Sequence, residues 1–307
     1  MKALERQTRT RLMQLFERHG IHPRHDLGQN FLIDLNLLDF IIEQAELSFD
    51  DVILEIGAGT GGLTGSLARD SAEVVSVEID RTLHRILPEV VGHLSNVTLL
   101  QRDALKNKNR FAPEVIDVVR EKLAADPERR LKLIANLPYN IASPVISNLV
   151  ASDLPWERMV VTIQWEPAQR MVAGPGDPQY GSLSIWLQSQ CRLRVLKKLP
   201  PSVFWPRPQV HSAILLVQPD LEARGRIADR AFFQDYLRRS FGLRRKLLRG
   251  VLTGMYRKQL SKADVDGILD ELGLAPNSRA EELPVDTHVA LANRLHARID
   301  ERDSNSA

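Results

Sequence analysis

The chain has 307 residues, 43% hydrophobic and 26% charged, as a soluble globular protein would. Its single cysteine, Cys191, excludes an internal disulfide and a cysteine-based metal cluster; with no apolar run near the ~18 residues of a membrane span and no apolar signal core, a reducing, cytoplasmic setting is expected. The net charge of +2 hides an asymmetry, because Arg224–Lys262 carries twelve Lys/Arg against Asp229 and Asp235, or +10, and leaves −8 elsewhere, the footprint of a polyanion binder.

Residues 1–26 read as a polar helical extension with a thin apolar stripe (Leu4, Leu12, Leu15, Phe16) ending near Gly20. His19, His22 and His25 are the closely spaced histidines, but Pro23 keeps them off one helical face, so no metal site is expected. Asp34 suits the N-cap of a helix running to Ala45. Val52–Ile56 then reads as a strand, and Gly57–Gly62 turns it into a helix carrying Leu63 and Leu67. Val74–Val77 is a second strand ending on Glu78, followed by a helix over 81–91 and a strand over Val97–Leu100. Residues 105–130 form a long connection, with a helix predicted from Pro113 to Ala124. Leu131–Ala135 and Met159–Ile163 are the next strands, with a helix near Ser143-Pro144 between them. The apolar runs Leu193–Leu199 and Ser212–Val217 predict a closing antiparallel pair. Helices are expected around 230–241, 244–256, 262–272 and 284–299. The pattern predicts an α/β fold with a doubly wound, mostly parallel seven-stranded sheet over 27–222, a small all-α domain over 223–300, and a frayed tail over 301–307.

Chemistry concentrates where the strands end. Gly57-x-Gly59-x-x-Gly62 after a strand, with Glu78 about twenty residues on, matches a dinucleotide fingerprint: the glycines admit a ligand close to the backbone, and the acid binds ribose hydroxyls. Glu55 before the loop would repel a pyrophosphate but attract the ammonium of S-adenosylmethionine (SAM), and Asp103 could accept from an adenine amine. Asn136-Leu137-Pro138-Tyr139 follows the strand that faces the same crevice. Asn136 offers an amide carbonyl to an amine, Pro138 stiffens the turn, and Tyr139 offers a face on which a base can stack. Arg238, Arg239, Arg244, Arg245 and Lys246 are the candidate RNA-binding residues of the basic block.

With these motifs in order, the chain resembles the ribosomal RNA adenine N6-dimethyltransferases, within the SAM-dependent methyltransferases. The resemblance spans roughly residues 8–296 and rests on Leu27–Leu32, Glu55–Gly61, Glu78-Ile79-Asp80, Arg102-Asp103-Ala104, Asn136–Asn140, Pro200–Phe204 with Pro206 and Pro208, Phe241-Gly242-x-Arg244-Arg245-Lys246 and Arg279–Leu283. It implies SAM contacts at Asn30, Leu32, Gly57, Glu78, Asp103 and Asn136. It implies target-adenine contacts at Asn136, Leu137, Pro138 and Tyr139, with Phe204 as a second stacking face. It implies two methyl groups on each of two adjacent adenosines in the 3'-terminal hairpin of small-subunit (16S) rRNA, with the immature small ribosomal subunit as partner. The cysteine and histidine pattern leads to no expected metal, and nothing in the sequence suggests an obligate dimer, so a monomer is expected. Departures from the family pattern are the long 105–130 connection, Trp165, Pro167, Gln209 and His211, all away from the SAM loop.

Three other readings compete: a large-subunit rRNA adenine methyltransferase of the resistance type, a non-catalytic RNA-binding assembly factor, and a nicotinamide-dependent oxidoreductase. The complete adenine and SAM motifs favour catalysis, and the crevice offers no acid or base suited to hydride chemistry.

Overall fold

The structure is a computed structural model that describes residues 8–306. Helix α1 (Arg9–His19) starts at Thr8, whose hydroxyl accepts from the Arg11 amide at 3.3 Å, and stops at Gly20. Leu12 and Phe16 of its predicted stripe are buried; Leu4 lies outside the described residues. A loop leads to a two-residue strand, β1 (Phe31–Leu32), and Asp34 caps α2 (Leu35–Ala45) by accepting from the Asn36 and Leu37 amides.

Strand β2 (Asp51–Ile56) is buried at every position, as a strand covered on both faces must be. Helix α3 (Gly62–Arg69), β3 (Glu73–Glu78), α4 (Arg81–Val91) and β4 (Val97–Gln101) continue the alternation. The connection after β4 is more ordered than its polar sequence suggests. It folds into an antiparallel hairpin, β5 (Leu105–Asn107) and β6 (Arg110–Phe111), before α5 (Pro113–Ala124). The chain then runs through β7 (Arg130–Asn136), α6 (Ala142–Ala151), β8 (Trp156–Gln164), α7 (Trp165–Val172), α8 (Ser182–Gln188), β9 (Cys191–Leu199), β10 (Phe204–Trp205) and β11 (Ser212–Pro219).

Seven strands form one sheet in the order β4-β3-β2-β7-β8-β11-β9. The first five in that order are parallel, and β11 runs antiparallel to β8. Successive strands build outward from β2 to one side and from β7 to the other. The strand order therefore reverses between β2 and β7, which places a ligand crevice at their carboxyl ends. The opposite edge is closed by buried charge: Lys132 Nζ lies 2.8 Å from Asp51 Oδ2 and 2.6 Å from the Glu46 carbonyl, while Arg158 reaches the Gln44 carbonyl and the Glu46 carboxylate. Above the sheet, Ile41 and Ala45 of α2 and Leu67 of α3 pack with Ile53, Val74, Ile134, Val160 and Ile214 in one apolar layer.

The chain divides into two compact units, one taking in residues up to Ala168 with Arg194–Gln218, the other Gln169–Leu193 with Pro219 onward. The second contains α9 (Leu221–Gly225), α10 (Arg230–Phe241), α11 (Leu248–Met255), α12 (Lys262–Glu271) and α13 (Val285–Ser306). A single cut near 222 therefore needs correction, because 169–193 belongs with these helices. Ile185, Trp186 and Leu187 of α8 are buried, and the Trp186 ring lies 6.3 Å from Phe233 of α10. The tail expected from residue 301 is helical as far as Ser306, as the last turns of α13. Among the described residues no helix is long and apolar enough to cross a membrane.

Candidate functional site

Two loops meet at the switch point. Gly57 ends β2 with φ 85, a conformation that L side chains avoid. A Cβ there would sit 3.0 Å from Pro138 Cδ and 3.6 Å from the Asn136 carbonyl oxygen, so the glycine loop packs directly on the Asn-Leu-Pro-Tyr turn. The Gly57 amide donates to the Val77 carbonyl at 2.8 Å, which ties the loop to β3.

Glu78, at the end of β3, is 5% exposed. Its Oε2 accepts from the Gly59 amide and its Oε1 from the Asp80 amide, both at 2.8 Å. Burial raises its carboxyl above the usual carboxylate range, against the pull of those amides. The carboxylate keeps lone-pair capacity for a ligand hydroxyl. Asp103, beyond β4, is exposed and oriented by the Leu105 amide, which donates to Oδ1 at 2.9 Å. Glu55 lies beneath the loop and accepts from the hydroxyls of Thr64 and Ser76. Desolvation raises its carboxyl to about 7.

The turn after β7 is held from three sides. Asn136 Nδ2 donates to the Asn30 carbonyl at 2.8 Å. The Leu137 amide donates to the Thr162 carbonyl at 3.1 Å, and the Ile141 amide donates to the Pro138 carbonyl at 3.1 Å. The Tyr139 hydroxyl lies 2.7 Å from that of Ser212, and burial raises the phenol above its ordinary range. Gly28 approaches so closely that a Cβ would lie 3.3 Å from the Tyr139 amide nitrogen.

One cavity is lined by Asn30, Leu32, Gly57, Glu78, Asp103 and Asn136, and also by Leu137, Pro138 and Tyr139. Leu12 of α1 and Leu83 of α4 line it too. Leu12 is expected only as part of a packing stripe and Leu83 is not expected at all, because an apolar stripe that lines a cavity is indistinguishable from one that packs a core.

Phe204 departs from expectation. It does not line the cavity; it is 2% exposed, pairs with Leu32 across the β1–β10 ladder and joins the apolar layer of Leu37, Ile41 and Leu216. As folded, the ring presents no face to a base.

The basic residues of the second unit divide by function. Arg244 is half-buried, its Nη1 donates to the Pro178 carbonyl at 3.1 Å and its Nε lies 3.2 Å from Glu281. Arg239 packs over Tyr256 and donates to the Met255 carbonyl, and Arg238 and Arg239 both pair with Asp235. Arg239 and Arg244 therefore serve partly to hold the unit together, whereas Arg238 pairs within its own exposed helix face. Arg245 and Lys246 stand exposed, as do Arg257 and Lys258, which the sequence reading did not single out. Among the described residues, no group of three or more His, Cys, Asp or Glu gathers as a metal site.

Close packing of the glycine turns admits a ligand against bare backbone, and Glu78 and Asp103 supply acceptors at two separate points of the cavity wall. Acceptors of that kind suit ribose hydroxyls and an adenine amine, so the residues present fit SAM.

Residues 21–297 match the family described as ribosomal RNA adenine dimethylase. Over 287 residues the chain is 38% identical to a ribosomal RNA small subunit methyltransferase A of Pediococcus pentosaceus, covering 93% of this chain and 94% of that protein. A protein of the same description from Halothermothrix orenii is 35% identical over 295 residues, 95% of each chain. In fold, the chain is similar to a dimethyladenosine transferase from Plasmodium falciparum (TM-score 0.70, 24% identity, 86% of this chain and 97% of that one). It is also similar to the 23S rRNA methyltransferase ErmE (TM-score 0.61, 21% identity, 87% of this chain and 100% of that one).

Proposed function

Because the chain belongs to the ribosomal RNA adenine dimethylase family, we propose that it uses SAM to dimethylate N6 of two adjacent adenosines in the 3'-terminal hairpin of 16S rRNA. The immature small ribosomal subunit would be its substrate particle, met in the cytoplasm. The observation that carries this reading is the convergence of Asn136 with Gly57, Glu78 and Asp103 on one cavity.

SAM, when bound, supplies an electrophilic methyl group on a sulfonium that needs no proton to leave. What the chain must do is present the amine. An adenine N6 lone pair is delocalised into the ring and is a poor nucleophile. Asn136 Oδ1 would accept one N–H of that amine and a backbone carbonyl the other, favouring a pyramidal nitrogen and fixing its direction of attack. Of the two nearby carbonyls, that of Pro138 already accepts from Ile141, which favours Leu137 for the role. Tyr139, steadied by Ser212, would replace part of the stacking lost when the base leaves its neighbours. Asp80 and Gln29 help hold the cofactor side: Gln29 Nε2 donates to Asp80 Oδ2 at 3.0 Å, linking the 28–32 loop to the turn that follows Glu78.

Mass spectrometry of both rRNAs, after incubating unmethylated ribosomal subunits with the protein and labelled SAM, tests the proposal. Dimethylated adjacent adenosines in the 16S 3' hairpin are expected. Label confined to 23S rRNA, or absent from both, would overturn it.

A further inference from the structure

The β5–β6 hairpin presents Lys106, Lys108 and Arg110, all exposed, and no acid stands between Asp103 and Glu114. The residues outside Arg224–Lys262 sum to −8, so the hairpin is locally of opposite sign to that remainder. A solvated turn would carry mixed charge as readily as one sign. Glu114, the next acid along, is paired with Arg102 and also lies within electrostatic reach of Lys106, while Lys108 and Arg110 stand clear of it.

The tip is carried on a fixed stem. Leu105 and Phe111, paired across the hairpin, are each 8% exposed and anchor it, while Asn107 Oδ1 accepts from the Asn109 amide at 2.9 Å and closes the turn. Two tethers locate it. At its base the Leu105 amide holds Asp103, a wall of the cofactor cavity. At its tip the Lys108 carbonyl accepts from Asn148 Nδ2 at 3.4 Å, on α6, the helix that follows the Asn136–Tyr139 turn. The hairpin is therefore fixed between Asp103 on the cavity wall, at its base, and the C-terminal half of α6, at its tip.

We propose that this hairpin is a second RNA contact, in which Lys106, Lys108 and Arg110 hold the phosphate backbone next to the target nucleotide. The inference rests on the RNA-methylating reading above and adds a surface in the catalytic unit to the basic block of the helical one. Positioned cations on phosphates fix register without reading sequence, and each released counterion steepens the salt dependence of binding.

The test replaces all three residues by alanine and measures binding to unmethylated small-subunit particles over a range of salt concentrations, with SAM affinity and thermal midpoint as controls. The slope of log affinity against log salt should shrink by about 2–3, and affinity near physiological salt should fall roughly 10–100-fold. SAM affinity should stay within about twofold. An unchanged slope and affinity would overturn the proposal. Lys108→Glu alone, at the exposed tip, should reduce the slope by at least about 1 without touching the stem, and serves if the triple variant folds poorly. Exchanging Lys for Arg and Arg for Lys at the three positions should preserve the slope; its loss there would overturn the phosphate assignment. If the wild-type protein neither binds nor methylates the particles, the parent reading fails. If it does both and the hairpin variants match it, the hairpin proposal alone fails.

Discussion

Asn136 donates its side-chain N–H to the backbone carbonyl of Asn30 at 2.8 Å, joining the end of β7 to a loop more than one hundred residues earlier. A carbonyl oxygen can only accept, so this contact settles which end of the amide is which: Nδ2 faces Asn30, and Oδ1 is left for a donor in the cavity. Asn136→Ala should lower kcat by roughly 10²-fold or more, with SAM affinity changed less than about tenfold. Asn136→Asp sets a carboxylate oxygen against the Asn30 carbonyl and should be as damaging, although an acceptor remains. Single-turnover methylation beside SAM titration checks both, and near-normal turnover in either would remove Asn136 from the role.

Gly57 gives the sharpest contrast with a glycine that carries no such constraint. At φ 85, with Pro138 Cδ 3.0 Å from the position of a Cβ, Gly57→Ala meets both backbone strain and a clash. A loss of at least about 1–2 kcal/mol of stability is expected, together with weaker SAM binding, because the loop must move. Gly267 lies exposed on α12 with nothing within 4 Å of a Cβ, and Gly267→Ala should instead stabilise by about 0.5–1 kcal/mol. Urea unfolding of the two variants measures the difference in sign.

Much of this arrangement was legible in the sequence because strand ends announce themselves. The helices over 113–124 and 230–241 start at a proline and at a capping aspartate, local signals that tertiary packing did not override. The glycine loop, Glu78 and Asp103 could be aligned by counting strands. What escaped was structure without periodicity. Helices α7 and α8 have eight and seven residues, Pro167 falls inside the first, and neither is long enough to reveal a stripe. The β5–β6 hairpin lacks an Asn-Gly or Asp-Gly turn and is mostly Lys and Asn. Phe204 stands among prolines, where no periodicity shows which way its ring points, and the family resemblance alone makes it a stacking face. Only its register against Leu32, a contact distant in sequence, shows that the ring turns inward.

That inward turn makes Phe204 testable as core. Phe204→Ala removes a ring packed with Leu37, Ile41 and Leu216 and should cost about 3–5 kcal/mol. Phe204→Leu keeps most of the apolar volume and should lose less than about 1.5 kcal/mol. With the ring acting as core, the leucine variant should methylate RNA within a few-fold of the wild type. A stable Phe204→Leu protein with a collapsed kcat would instead mean that the ring leaves the core to stack on the base.

Two buried groups, one in each unit, respond to pH in opposite directions. His288 Nε2 faces the Ala280 carbonyl at 2.9 Å and must donate to it, so Nδ1 accepts from the Tyr236 hydroxyl at 2.8 Å and the ring is neutral. Burial lowers its pKa to about 4 from an ordinary 6.5, so the unfolded chain binds the proton more readily. Stability from this group is complete above pH 6.5 and is lost as pH falls towards 4, by roughly 3 kcal/mol. Glu55 has the reverse sign. Its carboxyl, raised to about 7 by desolvation, binds a proton more readily in the folded state, so its stabilisation is complete below about pH 4.5 and lost as pH rises through 7. Glu55→Gln should therefore gain stability over the wild type at pH 8, with the gain shrinking towards zero at pH 4.5. His288→Phe leaves the Tyr236 hydroxyl without its acceptor and should be less stable at pH 7.5, with the deficit narrowing as the pH falls. Unfolding midpoints at five or six pH values, taken as variant minus wild type, cancel the titration of the surface carboxylates. Parallel, pH-independent offsets would mean that neither group changes protonation on folding.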